Sequence, residues 1–265
     1  MNGKKTSRLP GFVRGLIAFV FWIGVWWILS AVVGKEVLVP SPPVVAEHLF
    51  SFFKTGEFYL SVLSTLGRIL GGFTAAVLLG TALGILCARV RAVDTLISPL
   101  MSVIRSTPVA SFIILALVWI DKNLIPAAIS ALMVLPVLFG NVKAGVLSAD
   151  PKLLEMAAVF RFSRKQKLSR IYFPAVAPYL TAGLKTCLGL AWKAGVAAEV
   201  LSLAASSIGL HLYESKVYLE TADMFAWTLV VILLSLLIEK GMMSFVLYCQ
   251  KKGRLQPVTE GGVTP

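Results

Sequence analysis

The chain has 265 residues, 57% of them hydrophobic and only 14% charged, with a formal net charge of +12 and a mean hydropathy of +0.84. An ordinary soluble domain carries about 25% charged residues. The apolar residues are gathered in long runs without charge, which excludes a soluble globular protein and implies several membrane crossings.

Residues 1–14 carry Lys4, Lys5, Arg8 and Arg14 ahead of the first apolar run, 15–34. That run is too long for a cleaved signal peptide and no small-residue cleavage site follows it, so it is expected to stay as the first span. Trp22, Trp26 and Trp27 within it suit a lipid-facing or interfacial belt. The stretch 39–45, VPSPPVV, reads as a stiff, extended linker. A second span is expected at 69–88, where Gly80 and Gly84 have the GxxxG spacing that permits close helix packing. A third is expected at 97–120, crossed by Arg105 and Pro108, and a fourth at 124–142, with Pro126 and Pro136 as kink sites. The fifth, 179–204, contains Lys185, Lys193 and Glu199, and the sixth, 224–248, is interrupted by Glu239 and Lys240. Each is long enough for a hydrocarbon core of about 30 Å at about 1.5 Å per residue. The expected fold is an all-α membrane protein of about six transmembrane helices. Residues 15–250 form its membrane domain, and the polar tail 251–265 is expected to be disordered and cytoplasmic.

Cations set the orientation. One side receives the N-terminus, Arg89, Arg91, the segment 143–170 and the tail, whereas the other receives Lys35, Lys54, Lys122 and Lys216. The richer side is expected to be cytoplasmic, with both termini on it. This distribution accounts for the positive charge, and no basic-aromatic module points to nucleic acid. Cys87, Cys187 and Cys249 have no CxxC spacing and read as small apolar residues, and His48 and His211 stand alone. No GxxxxGK[ST] loop is present: Gly34-Lys35 is followed by Glu36. No catalytic motif appears, so the chain reads as a non-catalytic component.

The segment 150–174 differs from the rest. Asp150-Pro151 is a helix start, with Asp as N-cap and Pro at the first helical position. A short helix is expected to reach about Phe160. Ser163 and Gln166 form a capping-box pattern for a second helix, expected to stop before Pro174. Leu153, Leu154, Ala157, Ala158 and Phe160 supply an apolar surface. Arg164, Lys165, Lys167 and Arg170 supply a cationic one. Such a pair could rest on anionic lipid, bind nucleic acid or dock a cytoplasmic protein.

The same segment resembles the EAA signature of bacterial ATP-binding cassette (ABC) importer permeases. Glu155, Met156 and Ala157 open it, Ile171 stands at its seventeenth place, and Phe173-Pro174 close it. VPSPPVV (39–45), TLGRILGGF (65–73), RSTPVA (105–110) and VAAEVLS (196–202) look like segments of the nitrate/sulfonate/taurine branch. The resemblance implies a helix pair between the fourth and fifth spans that couples to a separate ATPase subunit. Leu154, Glu155, Met156, Ala157, Ala158, Phe160, Arg161, Ile171 and Pro174 would form that contact. It further implies a second permease copy, two cytoplasmic ATPases holding ATP and Mg, an external substrate-binding protein and a bacterial inner-membrane location. The chain itself would bind no cofactor. Substrates in the branch are small sulfonate-, taurine- or nitrate-like anions, or thiamine-pyrimidine precursors. The signature's usual Gly is Arg161 here, where a left-handed residue other than Gly costs about 1 kcal/mol. The bend would then change shape, or Arg161 would face the ATPase.

Intramembrane charges are costly. At 100° per residue, Lys185, Lys193 and Glu199 fall within roughly 120° of one side of the fifth span. With Trp192 they are either a stripe along a translocation path, as the resemblance implies, or a pair of snorkelling ends around one deep Lys193. Without the resemblance, an ion-coupled carrier or channel independent of ATP would also suit these charges.

Overall fold

The computed structural model describes residues 11–251. Helices joined by short turns make up these residues, and no strand occurs among them. Expectations for residues 1–10 and 252–265, the disorder of the tail included, lie outside the described residues. The first helices are α1 (Gly11–Val33), α2 (Pro42–Phe52), α3 (Gly56–Arg89), α4 (Arg91–Ser106), α5 (Val109–Ala116) and α6 (Ile125–Leu147). Then come α7 (Pro151–Val159), α8 (Arg164–Lys167), α9 (Phe173–Ser202), α10 (Ile208–Val217) and α11 (Thr221–Lys251).

Among the described residues, four helical stretches are long and apolar enough to cross a bilayer: Val13–Val33, Gly56–Arg89, Ile125–Leu147 and Thr221–Met242. Counting the pair α4 and α5 as one broken span gives five. The expected six are therefore not reached by length and hydropathy. The straight third span is replaced by two helices bent 101° apart at Thr107-Pro108. Pro108 explains the break, because the residue before a proline avoids the α region, and Thr107 is extended at φ −83°, ψ 133°. The fifth expected span lies within α9, a helix of 30 residues whose small residues and three charges dilute its hydropathy.

The described chain forms two compact units, one of residues 11–59 and 211–230, the other of 60–210 and 231–251. In the first, α1 ends at Gly34, whose φ of +62° is left-handed. Trp26 Nε1 donates to the Pro40 carbonyl at 3.1 Å and stacks on Phe225, so it packs internally rather than joining Trp22 and Trp27 on an exposed belt. The VPSPPVV stretch is not extended throughout. Ser41 is an N-cap in position and Pro42 opens α2, because a proline suits the first helical turn, where no N–H is needed. Trp227 stacks on Phe52 at 4.7 Å and on His211 at 4.6 Å.

The second unit is built on close backbone approach. A Cβ on Gly72 would lie 2.1 Å from the Ala127 carbonyl oxygen, and one on Gly84 would lie 2.9 Å from that of Phe139. With Gly80, these glycines form a smooth face of α3 against α6, which extends the GxxxG reading to a third residue. On its other side α6 packs against α9 in the same way. A Cβ on Gly145 would meet Val176 Cα at 3.0 Å, and one on Gly195 would meet Ser130 Oγ and Ile69 Cγ1, both at 2.5 Å. Arg105 reaches across from α4 and donates to the Pro136 carbonyl at 3.0 Å. Lys143, near the end of α6, pairs with Asp94 and donates to Ser98 Oγ at 3.2 Å. The helix that leads into segment 150–174 is thus held on both faces.

Candidate functional site

Asp150 caps α7 by accepting from the Lys152 N–H at 2.9 Å, with Pro151 in the first turn. Helix α7 ends in a Schellman motif. The Phe162 N–H donates to Ala157 O at 2.8 Å and the Arg161 N–H to Ala158 O at 3.1 Å. Arg161 has φ +50°, so the bend keeps the left-handed form that glycine would give. The expected change of shape does not occur, because the two hydrogen bonds and the packing of Phe162 hold it. Ser163 and Gln166 complete the capping box in both directions.

The second helix does not stop before Pro174. Instead α8 runs through a π-helical turn, Leu168–Tyr172, directly into α9, with Pro174 in the first turn of α9. A proline has no N–H and its ring presses on the carbonyl four residues back. The wider turn, closed by Phe173 N–H to Leu168 O, accommodates this. The segment is therefore continuous with α9.

Its side chains divide into two sets. Ala157 is 0% and Ile171 4% exposed, and they pack with Ala149, Leu154, Phe162 and Tyr172. These two are the internal root of the segment, not part of its outer surface. Glu155, Met156, Ala158, Phe160, Arg161 and Pro174 are exposed, Phe160 by 70%. The Arg89 guanidinium lies 5.1 Å from the centre of the Tyr172 ring, which ties the end of α3 to the π turn. An exposed apolar and charged cap on a buried root can pass a displacement to α9 without bending.

On α9 the expected four-residue stripe separates. Lys185 and Lys193 are exposed, but Trp192 and Glu199 are buried. Trp192 Nε1 donates to Val231 O at 3.2 Å. Glu199, 0% exposed, lies at the centre of a polar knot. It accepts from Thr65 Oγ1 at 2.9 Å and from the Gly209 N–H at 3.3 Å, with Arg68 Nη1 at 3.6 Å. Arg68 also donates to Ala205 O at 2.8 Å, and the Ala205 N–H donates to Asn123 Oδ1 at 2.8 Å. Gly209 is required here, since its Cβ would fall 2.3 Å from Glu199 Cβ. Helical wheel geometry could not foresee the separation, because it says where a residue sits on α9 but not which neighbour covers that side. Arg68 and Thr65 were missed. The available signal was the lone carboxylate in VAAEVLS, which needs a cation, and the Arg of TLGRILGGF.

The comparisons with known proteins agree with this architecture. Residues 80–247, more than half the chain, match the model of the family described as "Binding-protein-dependent transport system inner membrane component". The chain belongs to that family: it is a multi-pass inner-membrane permease component of an ABC importer, of the nitrate and sulfonate branch. It is 28% identical over 237 residues to a Brucella melitensis protein named as a probable ABC transporter permease, covering 88% of this chain and 94% of that one. It is 28% identical to the nitrate import permease NrtB of Synechocystis, over 78% of each chain. It is 26% identical to the bicarbonate transport permease CmpB of Synechococcus elongatus, over 80% of each. Among solved structures, a bacterial ABC transporter involved in the import of the acidic polysaccharide alginate shares the fold, with TM-score 0.60 and 16% identity over 89% of this chain and 95% of that one.

Proposed function

We propose that this permease forms the path by which a small anion enters the cell, and that a separate ATPase drives it through segment 150–174. The carrying observation is the division of that segment into an exposed cap, with Glu155, Met156, Ala158, Phe160 and Arg161, and a buried root at Ala157 and Ile171. ATP and Mg belong to the ATPase. Cation counting supports a cytoplasmic position for this segment and for both termini. Two copies of the chain line one path, with Lys185 and Lys193 of α9 on the solute side. Trp192 and Glu199 act from behind by holding α9 in place. The nitrate and bicarbonate importers among the relatives and the two exposed lysines favour an anion. An external binding protein delivers the solute to the faces near 35–60 and 205–222.

Purification in mild detergent from the native membrane tests this reading. An ATPase eluting in equal amount with the permease, and uptake that stops on ATP depletion but survives loss of ion gradients, is the expected result. A solitary permease whose uptake follows an ion gradient would establish a secondary carrier instead.

A further inference from the structure

Glu239 lies in an apolar span, Thr221–Met242, and nothing in the coupling scheme uses it. Glu239 is exposed near the C-terminal end of that span, and a charge within a membrane helix is uncommon and calls for a reason. It lines a cavity of about 190 Å³ on the second unit together with Lys185, Leu188 and Met242. Glu239 Oε1 also lies against the α9 backbone, 3.5 Å from where a Cβ on Gly189 would stand. Gly189 is one helical turn beyond Lys185, on the same face of α9. The carboxylate of α11 therefore reaches the face of α9 that carries the lysine. Among the described residues neither group closes to a salt bridge within 4 Å; the pairs formed involve other side chains. The cavity they line is large enough for several waters, or a solute of similar bulk.

We propose that Glu239 is the resident counter-ion of Lys185, and that the two form a charge-exchange subsite for a small anion. The carboxylate balances the ammonium when the cavity holds water. A passing anion takes over that balance and leaves when Glu239 reasserts it. Glu239 thus sets how tightly the site holds an anion, without being the group that binds it. This inference rests on the reading that α9 lines the solute path.

Cys87, Cys187 and Cys249 are first replaced by alanine, and Met242→Cys then serves as a reporter in the cavity wall. The complete importer in lipid nanodiscs is treated with an anionic thiol reagent, 2-sulfonatoethyl methanethiosulfonate, or with its cationic trimethylammonium counterpart. With Glu239 present, the two react at comparable rates. Glu239→Gln should favour the anionic reagent about tenfold, since one negative charge is lost at close range. Nitrate, used as the probe anion, should then protect the cysteine at about tenfold lower concentration. Lys185→Gln should shift the ratio the opposite way and abolish nitrate protection, which gives a second variant should Glu239→Gln fail to assemble. A reactive cysteine whose ratio and nitrate protection ignore both substitutions overturns the proposal but leaves the path reading standing. A cysteine inert to both reagents overturns the two together.

Discussion

Adjacent glycines on α3 carry opposite expectations. A Cβ on Gly72 would sit 2.1 Å from Ala127 O, 2.8 Å from Ala127 C and 3.0 Å from Ala127 Cα. All three are backbone atoms, so no side-chain rotation relieves the clash. An ordinary carbon–oxygen contact lies beyond about 3.2 Å, so Gly72→Ala must part α3 and α6 locally by roughly 1 Å, and overpacking of this kind costs about 1–3 kcal/mol. Beside Gly71 nothing stands within 4 Å. Gly71→Ala adds no contact and reduces the freedom of the unfolded helix, a gain of up to about 1 kcal/mol. Because that gain is common to both variants, the difference between them is expected to equal the overpacking cost, about 1–3 kcal/mol. Thermal unfolding of each variant in one detergent, followed by tryptophan fluorescence, measures it. Gly71→Ala should match or exceed the parent, and Gly72→Ala should unfold several degrees lower. Equal midpoints for the two variants would refute the α3–α6 packing on which the position of segment 150–174 depends.

Other substitutions probe the site. Arg161→Gly should relieve the left-handed residue by about 1 kcal/mol, seen as roughly fivefold slower hydrogen exchange at the Phe162 amide; faster exchange would contradict the bend. Arg68→Met should destabilise by about 3–5 kcal/mol because it strands a buried carboxylate. Glu199→Gln, which can still accept from Thr65 and Gly209, should cost clearly less in the same denaturation assay; the reverse order would deny the ion pair its role. Lys193→Met should lower anion uptake about tenfold through loss of one nearby charge, with expression and detergent stability unchanged. Unaltered uptake kinetics would remove Lys193 from the path.

Much of this was legible from local patterns. The caps at Asp150 and Ser163, the helix–bend–helix at 150–174 and the glycines at 80 and 84 follow from rules that act within a few residues. What the sequence concealed depends on neighbours far along the chain. Whether Glu199 faces solute or protein is decided by Arg68, more than a hundred residues earlier. The continuation of α8 into α9 was hidden because a proline ordinarily stops a helix, and only the π turn at Leu168–Tyr172 lets Pro174 stay within one. Arg161 misled for a related reason. The cost of its left-handed backbone is local, but the hydrogen bonds that outweigh it belong to the whole turn. The broken pair α4 and α5 could be suspected at Pro108, but its 101° angle comes from packing.

The most direct test places a photo-crosslinking amino acid at Phe160, the exposed tip of the segment, and irradiates intact cells during uptake. The expected product is a covalent adduct with an ATPase subunit, lost when Glu155 is changed to Arg. Adducts with lipid alone, while solute continues to enter, would contradict the claim that an ATPase acts on the permease through this segment.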